Sequence, residues 1–391
     1  MSPLDLAQAL LSLPTAPYRE MLPAGFCRQI ADDLGLEHGQ DAAGNTVVRT
    51  GPGPSPLVLV AHLDHPGFSV TSERDGDGRL RLDFVGGVAL DAARPGTPVD
   101  FFLPGLEGAV GQGRLLEAIG EGGRLQGGWF ELVDGEAPEG GFAMWAFPGW
   151  SVEDGLITAR VCDDLLGVAA VLACLEQVGD EIAMPIWGLF TRAEEDGLLG
   201  AFEAVRLGVL PPDAVVLSLE CSKALPEAPQ GSGVIVRVGD RLTTFDDALT
   251  STVRATAEAA GVTHRRKLMD GGVCEASVFC NAGYRASGLA VPLGNYHNAA
   301  DDGSGIAPET VRVGDWLAEI DLLCALATQP MPVPGPPPWF EERSERARVA
   351  LGAAHVPSAP SFVAADAPAF VAADAPAFAA ADTPTPADPY A

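Results

Sequence analysis

Lysine is nearly absent. Lys223 and Lys267 are the only lysines in 391 residues, and arginine carries the remaining basic charge. Against 24 Lys+Arg stand 53 Asp+Glu, a formal net charge of −29. A surface of that sign repels polyphosphate, which argues against nucleic acid and against an anionic membrane as partners. Long apolar runs are missing as well. No stretch reaches the roughly 20 residues that a bilayer span needs. The N-terminal MSPLDLAQALLSLP carries no basic leader, and Asp5 interrupts its apolar residues. The expectation is a cytoplasmic protein without a signal peptide.

Paired cysteine spacing is lacking too. Cys27, Cys162, Cys174, Cys221, Cys274, Cys280 and Cys324 are scattered, with no CxxC among them. An odd, unpaired set argues against a disulfide framework and against a zinc-thiolate site. It fits buried thiols in a reducing compartment. What is plentiful is apolar residues, 47% of the chain. That is enough to bury the core of one large α/β domain and a smaller companion.

Residues 4–13 and 24–36 show helical spacing, and Leu57, Val58, Leu59, Val60 and Ala61 read as a buried strand. From 69 to 155 the apolar runs shorten and polar turns such as Asp75-Gly76-Asp77-Gly78 recur, which predicts a small all-β module. Helical periodicity returns at Asp163 and alternates with strands to about residue 328, the α/β pattern. The all-β stretch 69–155 is thus inserted between two parts, 1–68 and 156–329, of one α/β domain. Residues 330–391 are of low complexity: 331–338 are proline-rich and 339–351 could form a short helix. Then 362–366, 370–374 and 378–382 repeat Phe, three small apolar residues and Asp. One aromatic per repeat cannot build a core, so this tail is expected to be disordered. An extended docking segment is the alternative.

In open α/β sheets, functional groups collect beyond the carboxyl ends of strands. The run 57–61 leads into His62 and then Asp64; 185–191 ends at Glu194-Glu195; 214–219 ends at Glu220; 286–293 ends shortly before His297. A helical pattern over 165–178 begins directly after Asp163-Asp164. Each has a plain structural reading: a surface imidazole, a helix cap, acids opening a helix. Together, His62, Asp163, Glu195, Glu220 and His297 would bring five strongly ligating groups to one rim. Two imidazoles and three carboxylates suit a pair of zinc or cobalt ions better than calcium or magnesium. His38, His264 and His355 read as helix-end or loop residues.

The most specific stretch is Ala-His-Leu-Asp-His-Pro-Gly-Phe-Ser-Val at 61–70, continuing to Phe-Val-Gly-Gly-Val at 84–88. With Asp-Asp-Leu-Leu-Gly at 163–167, Glu-Glu-Asp-Gly-Leu-Leu-Gly-Ala at 194–201 and Tyr296-His297, it resembles the glutamyl (deblocking) aminopeptidases. These are endoglucanase-M-like, co-catalytic metallopeptidases that form tetrahedral shells. The resemblance runs over about residues 5–328. It implies a mixed, largely parallel sheet flanked by helices, carrying a small inserted β-barrel-like domain, and a homo-oligomer, a dodecamer in relatives. Departures from the pattern are Leu165 for the Arg of Asp-Asp-Arg, Glu220 for the usual Asp, His65 for a Glu, and Gly-Gly-Val-Cys-Glu at 271–275 for Gly-Thr-Asp.

On that resemblance, one ion falls to His62, Asp163 and Glu220 and the other to Asp163, Glu195 and His297, with Asp163 bridging. Asp64 would take the second N–H of His62, and Glu194, free of metal, would be the general base for a water attacking a short peptide. The alternative is a co-catalytic amidohydrolase, deacylase or carboxypeptidase-like enzyme of the same clan, which Glu220 favours. A third reading is a metal-free binding protein on a retired peptidase fold.

Overall fold

The computed structural model describes residues 1–147, 149–329, 342–347 and 349. Met1–Val333 form one compact unit. Of the second unit, residues 342–347 and 349 are described; they are helical and exposed. The expected disorder of the tail, its docking alternative and His355 otherwise lie outside the described residues.

The centre of the fold is the strand Leu57–His62, all six residues of it buried. A strand hidden on both faces has no polar side to alternate, which is why LVLVAH is continuous apolar chain up to its last residue. Ile186–Thr191 and Val215–Ser218 flank it in parallel. Thr191 pairs with His62, so those two strands end level, and Ser218 pairs with Val60, so the third ends two residues earlier on the same side of the sheet. Arg285–Gly294 continues the parallel arrangement beyond Val215–Ser218. Antiparallel strands complete the sheet: Thr46–Arg49 and Glu37–Gln40 at one edge, Glu309–Arg312, Leu156–Ala159 and Ser151–Glu153 at the other. Twelve strands join this sheet among the described residues.

The helix Leu165–Val178 is buried on nearly every side, as a run of Leu, Val and Ala without a polar stripe requires. It packs between the sheet and the helices Pro3–Leu11 and Val313–Thr328. Leu165 is fully buried there and joins the apolar core. The capping reading of Asp164 fails, because its side chain makes no cap hydrogen bond.

Six strands, Gly67–Arg74 through Phe142–Trp145, close into a barrel. Phe68, Phe101, Phe130 and Trp145 fill it, with Phe68 edge-on to both Phe130 and Trp145. The next strand, Ser151–Glu153, already belongs to the large sheet. His38 and His264 lie in the strands Glu37–Gln40 and His264–Met269, not at helix ends or in loops. Glu37–Gln40 is exposed throughout, so no apolar alternation betrays it. No helix among the described residues is long and apolar enough to cross a membrane.

Candidate metal centre

These neighbouring carboxyl ends bring the post-strand residues to one rim. His62 ends its strand; Glu194 and Glu195 follow Ile186–Thr191; Asp163 precedes Leu165–Val178. The Asp163–Asp164 peptide is cis. His62 Nε2 lies 3.6 Å from Asp163 Oδ1, and His297 Nε2 lies 3.6 Å from Asp163 Oδ2. One carboxylate therefore shows a separate oxygen to each imidazole. His297 Nε2 is also 3.1 Å from Glu195 Oε1. Ligand-type atoms of His62, Asp163 and Glu195 all fall within 4.8 Å of one another.

Glu220 stands just outside this tight group. It is linked to it by its neighbour Cys221, whose N–H donates to Asp163 Oδ1 at 3.2 Å. Asp163, Asp164 and Cys221 form a second group of ligand type, also within 4.8 Å. A cavity of about 210 Å³ opens beside Glu220, walled by Arg237, Met269, Gly271, Gly272 and Tyr296. A larger depression of about 490 Å³, lined by Glu37, Arg49 and Trp187, lies at the sheet's edge and holds none of these groups.

Both imidazoles are aimed by backbone carbonyls. His62 Nδ1 is 3.1 Å from the Asp64 carbonyl and His297 Nδ1 is 2.9 Å from the Gly87 carbonyl. A carbonyl only accepts, so each Nδ1 carries a proton and each Nε2 faces Asp163. The ring of His297 stacks on Tyr296 at 3.8 Å. Gly87 belongs to the Phe-Val-Gly-Gly-Val stretch, so the barrel's rim supplies this contact. The Asp64 carboxylate does not hold His62, as the sequence suggested; its oxygens accept the N–H groups of Glu194 and Glu195 at 3.0 and 3.1 Å. Two backbone donors in one turn outcompete a ring 3.7 Å away.

The electrostatics call for cations. Burial alone would lower His62, but Glu194, Asp163 and Asp64 outweigh it and hold the imidazole well above its ordinary value. His297 is likewise held up against burial by Glu195 and Asp163. Asp163 is pulled below the usual carboxylate range, burial notwithstanding, by the two imidazoles that flank it. Burial pushes Glu220 up to about 8 against the pull of Arg237, and pushes Glu194 well above its usual value against that of His62. Glu220 Oε1 and both oxygens of Asp164 and Glu275 are buried without a hydrogen-bond partner. Orphaned buried carboxylates are costly. Divalent ions on the His62, Asp163, Glu195 and His297 donors suit both this charge surplus and this donor set.

Four nearby residues escaped the sequence reading. Arg237 is 3% exposed, its Nη1 4.0 Å from Glu220 Oε1. Glu275, fully buried, opens the helix Glu275–Asn281. His65 and Glu309 are buried and bond to the segments that carry Asp163 and His297. Arg237 lies inside a strand and Glu309 opens one; His65, three residues past Leu57–His62, and Glu275 were visible only as departures from the family pattern.

The family profile of the M42 glutamyl aminopeptidases matches residues 139–302. No curated protein matches the chain in sequence. Among solved structures, the chain is similar to an aminopeptidase from Desulfurococcus kamchatkensis (TM-score 0.72, 19% identity, 86% of this chain and 98% of that one). It is similar to the TET1 peptidase of Pyrococcus horikoshii (0.71, 20%, 84% and 100%) and to an endoglucanase of Thermotoga maritima (0.62, 18%, 82% and 96%). At such identities these likenesses speak for the fold. With the profile match over residues 139–302 and the motifs at 163–167, 194–201 and 296–297, the chain is a hydrolase of the peptidase class, related to the M42 glutamyl aminopeptidases.

Proposed function

We propose that the chain is an aminopeptidase with two divalent ions, zinc or cobalt, that removes N-terminal residues from short peptides. The observation that carries this reading is Asp163, whose two oxygens each face a different imidazole at 3.6 Å. One ion would be held by His62, Asp163 and Glu220, the other by Asp163, Glu195 and His297. Bound there, such ions acidify water and polarise the scissile carbonyl. The chain's own part is to bind, orient and move the proton. Glu194, beside Glu195 and directed by the same turn, takes the proton of the attacking water on its carboxylate and hands it to the departing amine. Asp64 fixes that turn by holding both backbone N–H groups. The cavity beside Glu220 would receive the N-terminal side chain, with Arg237 as its buried cation.

The Pyrococcus horikoshii TET1 peptidase can assemble into a tetrahedron or a large octahedral shell, and a homo-oligomer is the corresponding expectation here. The test of function is metal content per chain, followed by aminoacyl-nitroanilides and N-acyl amino acids assayed side by side with zinc, cobalt or manganese restored. Two ions and release from the nitroanilides are expected. Asp163→Ala should lose both ions together; one tightly retained ion in that variant means Asp163 does not bridge. Turnover confined to the N-acyl amino acids would instead establish the deacylase alternative, and a wild type that binds no ion would leave only a binding protein.

A further inference from the structure

We infer that Glu309, assisted by His65, is a positioning residue that sets the gap between Asp163 and His297 and thereby the hold on the second ion. The inference rests on the dinuclear reading above. Glu309 opens the strand Glu309–Arg312 and is fully buried. Its Oε2 accepts the N–H of Cys162 at 2.7 Å and of Asp163 at 3.1 Å; its Oε1 accepts the N–H of His297 at 2.9 Å. One carboxylate thus ties together two segments distant in sequence, each carrying a ligand of the same ion.

The His297 side of this tie needs an anchor. Asn295, His297 and Asn298 have φ of 55°, 53° and 60°, a left-handed turn built without glycine. L side chains stay in that region only where their surroundings hold them. Asn295 is held by Asp301 and the Pro308 carbonyl. His297 is held by Glu309 on its backbone and by Gly87 on its ring. His65 supplies a second strut. Its Nδ1 is 2.8 Å from the Asp163 carbonyl and its Nε2 is 3.0 Å from Asn298 Oδ1. Asn298 Nδ2 donates to the Arg160 carbonyl at 2.9 Å, which fixes which end of the amide meets His65. A glutamate at position 65 would set a carboxylate against two acceptors, so the departure from the family pattern and the Asn298 contact belong together.

The polar atoms of Glu309 and His65 are spent on these ties, so both act through the ligands and not on substrate. Glutamine at 309 would present one acceptor and one amide. If the acceptor keeps Cys162 and Asp163, the amide meets the His297 N–H donor to donor, and the left-handed turn loses its anchor. The ion held by Asp163, Glu195 and His297 should then weaken, while the ion on His62 and Glu220 stays.

The test compares wild type and Glu309→Gln by titrating zinc into the apo-protein against a chelator, with kcat and KM measured at each zinc level. In the variant we expect the tighter ion within about threefold of wild type and the second weakened by at least about tenfold, the scale seen for groups that orient metal ligands. Its kcat should recover as zinc is raised, with KM little changed. If wild type binds two ions and the variant binds both as tightly with unaltered kcat, the positioning role is overturned and the dinuclear reading stands. Equal loss of both ions with a lowered melting temperature also overturns it, because that is the signature of general unfolding. A wild type that binds fewer than two ions overturns the dinuclear reading and the clamp with it. Should Glu309→Gln fail to fold, His65→Leu removes the other strut and must show the same split.

Discussion

Glu194 and Glu195 are neighbours with different surroundings. Glu195 turns towards His297, while Glu194 is pushed well above its usual value by burial, against the pull of His62. A general base must be ionised before it can take a proton, and cations held by the neighbouring ligands would bring the Glu194 carboxyl to that state. Glu194→Gln should therefore keep the metal content of wild type and lose at least about 10²-fold in kcat, the usual scale for a general base. Metal-loaded Glu194→Gln that turns over normally would show that another group moves the proton. The rim residues were legible because each follows a buried strand or precedes a buried helix, where a polar residue has no core task. Glu275 and Glu309 were not, since a buried acid at the start of a helix or strand reads as an ordinary surface residue until its neighbours are known; Arg237 sits inside a strand, and His65 is overshadowed by His62 and Asp64 just before it. Asp64 shows the same limit: its proximity to His62 was plain, but the backbone donors that claim its carboxylate come from residues 194 and 195.

The turn between Leu80–Val85 and the barrel's next strand is where the insert meets the rim. Gly86 has φ of 126°, and a Cβ there would lie 2.6 Å from Pro66 Cβ and 2.9 Å from Pro66 Cα. Only glycine fits, and its neighbour Gly87 gives its carbonyl to His297. Gly86→Ala should shift this turn and cost activity about tenfold or more. Phe84, two residues before the turn, lies 6.4 Å from Trp145 in the barrel core, so the control is far-UV circular dichroism, which should match wild type, and not tryptophan fluorescence. Unchanged turnover in that variant would mean that His297 does not need the carbonyl. Elements with a strong pattern were readable in advance. Leu165–Val178 has the bounds its periodicity predicts, and the three central strands differ from expectation by a residue or so at their ends. Glu37–Gln40 was missed because EHGQ has neither apolar alternation nor β-branched residues and is a strand only through its partner Thr46–Arg49, whose TVVR is β-branched but only four residues long.

Across the whole molecule, an excess of acid is buried as well as exposed. Glu319, on Val313–Thr328, is fully buried with neither oxygen paired, and burial pushes it up to about 8 from 4.5. The folded chain therefore keeps a proton that the unfolded chain releases between those values. For a raised carboxyl, stability is complete below about pH 4.5 and is lost as pH climbs towards 8. Glu319→Gln should flatten the decline between pH 5 and 8 by up to about 1.4 kcal/mol per unit, read from unfolding at several pH values. Parallel curves for the two proteins would show that Glu319 does not titrate in this window. The placement of Glu309 late in the chain has a consequence of another kind. Synthesis delivers the N-terminus first, and contacts between distant residues form last. His62, the barrel and Asp163 leave the ribosome well before His297 and Glu309 do. A chain arrested just short of Glu309 would hold a closed barrel beside an open rim of carboxylates, so the order of synthesis leaves the centre and the helix Val313–Thr328 that follows it to close late.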